Sequence, residues 1–395
     1  MHLRGELGCL TYCTNIHPGE TWAETRRTVA ERVTRVKQRV CPEQPFGVGL
    51  RLSARAAEAL AAPNNLEDFA ALLSENDLYV FTINGFPYGP FHDTTVKAKV
   101  YEPSWAEGAR LDYTNRLADL LARLLPEGMT GSISTVPCAF RPVGRGQEEA
   151  MREHLLRHAV HLHRISEETG KQIALALEPE PHCYLETTGE ALTFFQDWLL
   201  NVNSVRRMGE LTGLSSAQAE QALRRHLGVC FDVCHAAVEY EDPGESVAAL
   251  RGAGIAVPKL QLSAALHLRR VTPETLERLR AFDEETYLHQ VVARRGETLE
   301  RFLDLPDAFA AAEAQSYDEW RVHFHVPLFL AELEHFSTTQ HVLAEVLELH
   351  RQAPISDHLE VETYTWDVLP PDLRNVPVED AIARELSWVT TRLNA

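Results

Sequence analysis

Basic residues are scarce in this chain of 395 residues: 38 Lys and Arg stand against 57 Asp and Glu, a formal net charge of −19. Nucleic-acid affinity is built mainly from cations that neutralise phosphates, so a nucleic-acid partner is not expected. No apolar run is long enough to span a bilayer, which argues against membrane insertion. The opening MHLRGELGCL lacks the basic patch and long apolar core of a secretory leader, and the expected location is the cytoplasm. The seven cysteines show no C-x-x-C spacing. They read as reduced core thiols rather than as a disulfide frame or zinc knuckle. No G-x-G-x-x-G follows the first strand, and no low-complexity linker divides the chain.

What is present is a rhythm. Short β-like runs alternate with longer helical ones: 8–13, 46–53, 77–85, 131–137, 173–181, 227–235 and 257–263, then 321–327 and 358–366, with a last helix over about 379–393. Alternation of this kind predicts a parallel sheet, and eight such units close a (β/α)8 TIM barrel. The runs number one more than a barrel needs, and 264–320 is too long for a simple connection. The expectation is one domain over 1–395, with 264–320 as an insertion between the seventh and last strands. YLHQVV (287–292) and RVHFHVP (321–327) are expected to pair within or beside it.

Period-two alternation sorts each strand into two faces. In IALALEPE the bulky Ile173, Leu175 and Leu177 face the helices, while Ala174, Ala176 and Glu178 face the barrel interior. By the same logic Asp232 in VCFDVCH, Gln261 in KLQLS, His323 and His325 in RVHFHV, and Glu360 and Glu362 in LEVETY share the inward side. Buried charges are costly unless paired or coordinated. Deeper in the barrel, Arg51, Lys259 and Glu360 are expected to form an ion network. Glu178, Asp232, His325 and Glu362 end different strands without comparable cations nearby, and so read as ligands of a divalent metal: Mn, Zn, Fe or Mg. His235 follows Asp232 by one helical turn, within reach of a second metal or a substrate oxygen.

These strand ends resemble the xylose-isomerase-like superfamily, which includes sugar isomerases and epimerases and endonuclease IV-type enzymes. Glu178 matches its strand-five glutamate, Asp232 and His235 its D-x-x-H, and Glu362 its last-strand glutamate. The longer strings LTYCTNIHPGETW, NGFPYG, LEPEPHC, FDVCHAAVE, YLHQVV, VHFHVPLF and LEVETYTWDVLP resemble the EboE family, named for metabolite traffic, over most of the chain. The superfamily pattern has a metal-binding histidine on strand seven. Gln261 stands there instead, so the imidazole is expected from His325, with His323 and His289 as alternatives.

The resemblance implies metal-dependent isomerisation or epimerisation of a small sugar-like carbonyl metabolite. Glu178 and Glu362 are then the acid/base groups and His235 assists. Asn15, His17, Asn84, Gln261 and His323 are the expected substrate contacts, although His17 reads almost equally as a loop histidine bonded to backbone. Metabolite binding and hand-over without turnover is the runner-up, and phosphodiester cleavage the third reading. Whether the chain forms an oligomer is left open.

Overall fold

The computed structural model describes residues 1–92, 94–371 and 374–395. Eight parallel strands form one sheet: β1 (Cys9–Tyr12), β2 (Phe46–Arg51), β3 (Leu78–Asn84), β4 (Thr130–Thr135), β5 (Gln172–Leu177), β6 (Leu227–Asp232), β7 (Ala256–Leu262) and, last in the chain, His358–Val361. Each is a short, almost wholly buried run, and β2, β3 and β6 are mostly apolar, as parallel strands covered on both faces require. The order in the sheet follows the chain except that the last strand lies between β1 and β7. A parallel bridge from Cys13 to Gly49 joins β1 to β2 and closes the barrel. Thr11 reinforces the seam: its hydroxyl donates to the Gly47 carbonyl (2.6 Å) and accepts from the Gly49 N–H (3.1 Å).

Helices pack outside, among them Gly108–Leu124, Glu148–Thr169, Ser216–His226, Gln340–Gln352 and Val378–Leu393. Their buried residues recur at three and four positions, as Leu117, Leu120 and Leu121 do on the first of them. The inward strand residues are small or polar, the outward ones bulky. Leu175 and Leu177 of β5 are buried under the helices, whereas Ala176 leaves room inside for Lys259 of β7.

Lys259 Nζ lies 2.5 Å from Glu360 Oε2, both side chains fully buried, and 3.2 Å from Ser134 Oγ. Arg51, expected in the same network, turns away to Glu20 and to the carbonyls of Gly19 and Gly89. Gly19 and Glu20 lie on the loop after β1 and Gly89 on the loop after β3, and together they take the guanidinium. Space in the barrel is tight at Gly49, where a Cβ would collide with Glu360 Oε1 and with the Tyr12 carbonyl at 2.5 Å. Gly49→Ala is therefore expected to cost about 1–3 kcal/mol, the usual penalty of overpacking, measured as a lowered urea midpoint.

The connection from β7 to the last barrel strand carries a second, five-stranded antiparallel sheet. It comprises β8 (Leu266–Leu268), β9 (Val291–Arg295), β10 (Thr298–Phe302), β11 (Glu319–Val322) and β12 (Ser337–Thr338), in the order β10-β9-β11-β8-β12. The barrel strand His358–Val361 is accordingly β13. The run 321–327 is strand only to Val322, so His323 and His325 stand on the segment that leads back to the barrel mouth. No helix among the described residues is long and apolar enough to cross a membrane.

Candidate metal centre and the cavity above it

The C-terminal ends of the barrel strands converge on a buried cluster. Glu178 follows β5 directly, its N–H bonded to the Thr135 carbonyl of β4 (3.1 Å). Glu362 follows β13, its N–H bonded to the Leu262 carbonyl of β7 (3.0 Å). Asp232 closes β6 and caps the helix Val233–Val238, its Oδ1 accepting from the His235 N–H (2.9 Å). That cap explains the D-x-x-H spacing, because the first helical turn swings His235 back over the same mouth. Ser263 also donates to Asp232 Oδ1 (2.7 Å), leaving Oδ2 free.

Donor atoms of Glu178, Asp232 and Glu362 lie within 4.8 Å of one another, and so do those of Asp232, His235 and His325. Glu178 Oε2, Asp232 Oδ2 and His325 Nε2 are buried and have no hydrogen-bond partner. His325 donates from Nδ1 to the Glu362 carbonyl (2.8 Å), which turns the Nε2 lone pair inward. Three carboxylates at the ends of different strands and one neutral imidazole from the segment after β11, with orphaned donor atoms, fit a hard or borderline divalent cation.

The electrostatics point the same way. Burial, then Glu362 and Asp232, push the Glu178 carboxyl well above its ordinary range. Burial, then Asp232 and Glu360, raise Glu362 to about 8. Burial lowers His325 to about 4, keeping it neutral and able to ligate.

Asn15 and Asn84 line the cavity, but both donate their amides to Glu362 Oε1, at 2.7 and 3.0 Å. They aim a carboxylate, and the sequence signal for that role was only their place in the first and third strand-end loops. Asn15→Leu is expected to weaken metal binding about 10–100-fold, as loss of a partner that orients a ligand does, read by competition with a chelator.

His17 does not reach the cavity. Its Nε2 lies 3.2 Å from the Tyr12 hydroxyl, outside the barrel mouth, because the short helical turn Thr14–Ile16 directs the ring back over β1. Gln261 does not line the cavity either. It is fully buried beside Asp232 in register, and both its amide atoms lack partners. Its place is level with Asp232 at the cluster rather than on the cavity wall. His289 is held by Asp304 and Glu284 in the insertion, away from the cluster.

His235 and His323 face each other. His235 Nδ1 donates to the Pro179 carbonyl (2.9 Å). His323 Nδ1 donates to Gln290 Oε1 (2.8 Å), an orientation fixed by the Gln290 amide donating to the Pro181 carbonyl (3.2 Å). The two Nε2 lone pairs therefore meet at 3.2 Å, with the Tyr364 hydroxyl 3.5 Å from His323 Nε2. Glu180 lies beside them, buried and accepting from Tyr101 (2.7 Å). Its position two residues beyond Glu178 was the signal for it. Tyr364 shares the period-two face of Glu360 and Glu362, whereas Tyr101 and Gln290 had no signal, because nothing in their sequence neighbourhoods ties the excursion after β3 and the insertion to one place.

Above the cluster is a pocket open to solvent, whose empty space with that solvent included is about 530 Å³. Glu178, Glu180, His235, His323 and Glu362 form its polar floor, and Asp232 and His325 lie beneath it.

No family model matches the chain, and no curated protein sequence matches it. Among solved structures it is similar to a D-tagatose 3-epimerase-like protein (12% identity, 98% of this chain and 100% of that one, TM-score 0.48). It is also similar to the IolI protein with a bound zinc atom (14%, 98% and 97%, 0.45). A third is a xylose isomerase domain protein from Alicyclobacillus acidocaldarius (13%, 98% and 99%, 0.44). Identities this low concern the barrel alone. The chain is a (β/α)8 barrel with an insertion after its seventh strand. The EboE resemblance rests on the sequence strings alone.

Proposed function

We propose that the barrel binds a divalent cation through Glu178, Asp232, His325 and Glu362 and isomerises or epimerises a small polyhydroxylated carbonyl metabolite. The observation that carries this reading is the pair of donor groups that share Asp232, Glu178 and Glu362 on one side and His325 with His235 on the other, with Glu178 Oε2, Asp232 Oδ2 and His325 Nε2 left unpartnered in a buried site. A cation held there supplies electrophilic polarisation of adjacent substrate oxygens.

The remaining work falls to the chain's own groups. Glu178 and Glu362 both line the floor as carboxylates that can take and return a proton, and in the metal-free chain burial and neighbouring carboxylates raise the pKa values of both. One removes the proton next to the carbonyl and the other returns one from its own side. Asn15 and Asn84 fix the Glu362 carboxylate, while the Nε2 atoms of His235 and His323 accept from substrate hydroxyls.

Elemental analysis with solvent-exchange NMR tests this. The reconstituted protein is expected to hold a divalent metal and to place deuterium from D2O beside the carbonyl of a ketose. Glu178→Ala and Glu362→Ala are expected to do neither. Metal binding with tight ketose binding and no exchange would instead support a carrier, and no metal after reconstitution would sink the reading. The facing lone pairs of His235 and His323 favour one variant of it, a second ion bridging them beside Glu180. Two equivalents of metal in the wild type, falling to one in His323→Ala, is its expected signature.

A further inference from the structure

The floor and the roof of the cavity differ in chemistry. All its carboxylates and imidazoles lie on the floor. The roof is Phe86, Phe91, Val96, Val100, Tyr287 and Leu288, from the excursion after β3 on one side and the insertion on the other. These two segments are already joined. The Val96 and Lys97 N–H groups donate to the Thr286 carbonyl (2.8 and 3.0 Å), and the Tyr287 hydroxyl donates to the Phe91 carbonyl (3.0 Å). The rings of Phe91, Tyr287 and Tyr364 pack together with centroids 5.0–5.3 Å apart.

Charge is as one-sided as polarity. Among the described residues, Lys97 is the one Lys or Arg that lines the cavity. Its Nζ is taken, 2.7 Å from Asp304 Oδ2 and 3.2 Å from the Glu284 carbonyl. Glu178, Glu180 and Glu362 on the floor, with Asp232 beneath, more than balance a divalent cation. A phosphate or carboxylate on the ligand would be buried against carboxylates with no free counter-cation, a costly arrangement.

We infer that the ligand is uncharged and amphipathic: a hydroxylated or carbonyl head on the floor, and an apolar substituent held under the aromatic roof. The inference rests on the proposed metal centre for the seating of the head, and names the substrate class of that same site. Phosphorylated sugars are excluded by it. An apolar tail gains from every square ångström the roof covers, whereas a bare sugar leaves that surface unused.

Hydroxamates test the roof without assuming which sugar binds, because the head, ionised on the metal, is common to all three and the tail alone reports on the walls. Calorimetry on the metal-loaded full chain would compare acetohydroxamate, 3-phenylpropionohydroxamate and phosphonoacetohydroxamate. The phenyl compound is expected to bind at least ~10-fold tighter than the acetyl one, the difference of roughly two buried methylenes, and the phosphono compound weakest of the three. Tyr287→Ala is expected to lower the preference for phenyl several-fold with the metal content unchanged. Phosphono binding tighter than acetyl, or phenyl no tighter than acetyl, would overturn the substrate class while leaving the metal centre intact. A metal-loaded protein that binds none of the three overturns both, since the ion would then not face the cavity.

Discussion

Glu178→Gln is expected to make the metal-free protein more stable above neutral pH and to abolish metal binding and turnover. The two effects share one cause. In the folded chain Glu178 is buried beside Glu362 and Asp232, so its ionised form is disfavoured and its pKa raised. A group raised from its unfolded value of 4.5 stabilises the fold fully below that value. It loses the contribution as pH rises through the folded pKa, which for Glu362 is about 8. Each unit of pH in that window costs about 1.4 kcal/mol per group that stays protonated only in the folded state. Chelated wild type should therefore lose thermal stability between pH 5 and pH 8. Glutamine removes one of the two groups, so the variant should lose less over the same range.

Metal reverses the sign for the wild type. A cation binds only the deprotonated set, releases the protons, and stabilises by about 4 kcal/mol when present at a thousandfold excess over its Kd. The gain in Tm on adding metal should grow from pH 6 to pH 8 in the wild type and vanish in Glu178→Gln. Differential scanning calorimetry with and without chelator reads all of this. A chelated wild type whose Tm is level from pH 5 to pH 8 would show that the carboxylates do not repel one another as placed.

The strand-end residues were legible because a parallel barrel converts sequence position into geometry. Once IALALEPE is a strand with small residues inward, Glu178 must lie at the mouth, and the same holds for Asp232 and Glu362. The cap at Asp232 made His235 legible too. His17 and Arg51 were misplaced because loops decide both: His17 lies on one whose direction is set by the turn Thr14–Ile16, and the Arg51 side chain, at the end of β2, follows acceptors that neighbouring loops offer. Of the aromatic roof the sequence pointed only to Phe86, read with Trp366 as an apolar wall of the pocket; Phe86 lines the cavity and Trp366 does not. Phe91, Tyr287 and Tyr364 come from three segments far apart in the chain, and their meeting depends on how the insertion folds back. Period-two logic on RVHFHV placed His323 and His325 on one side correctly, yet the strand ends at Val322 and both rings owe their aim to bonds with Gln290 and the Glu362 carbonyl.

Lys259→Met should be among the most damaging substitutions remote from the cavity. The Lys259–Glu360 pair is fully buried at 2.5 Å, and Gly49 leaves space for the carboxylate. Removing one member of such a pair leaves a buried charge without its partner and costs about 3–5 kcal/mol. The loss also reaches the metal centre, since Lys259 acts to lower the pKa values of both Glu178 and Glu362 while Glu360 raises that of Glu362. Lys259→Met alone should weaken metal binding at neutral pH, by making both ligands harder to deprotonate. Lys259→Met with Glu360→Gln removes the opposing influences on Glu362 together, so most of the stability and part of the metal affinity should return. A double-mutant cycle in urea, with metal titrations on each corner, separates the two consequences. Additive single and double losses would mean that the pair is not coupled. Recovered stability without any recovered metal affinity would mean that Lys259 serves the barrel core and not the ligands above it.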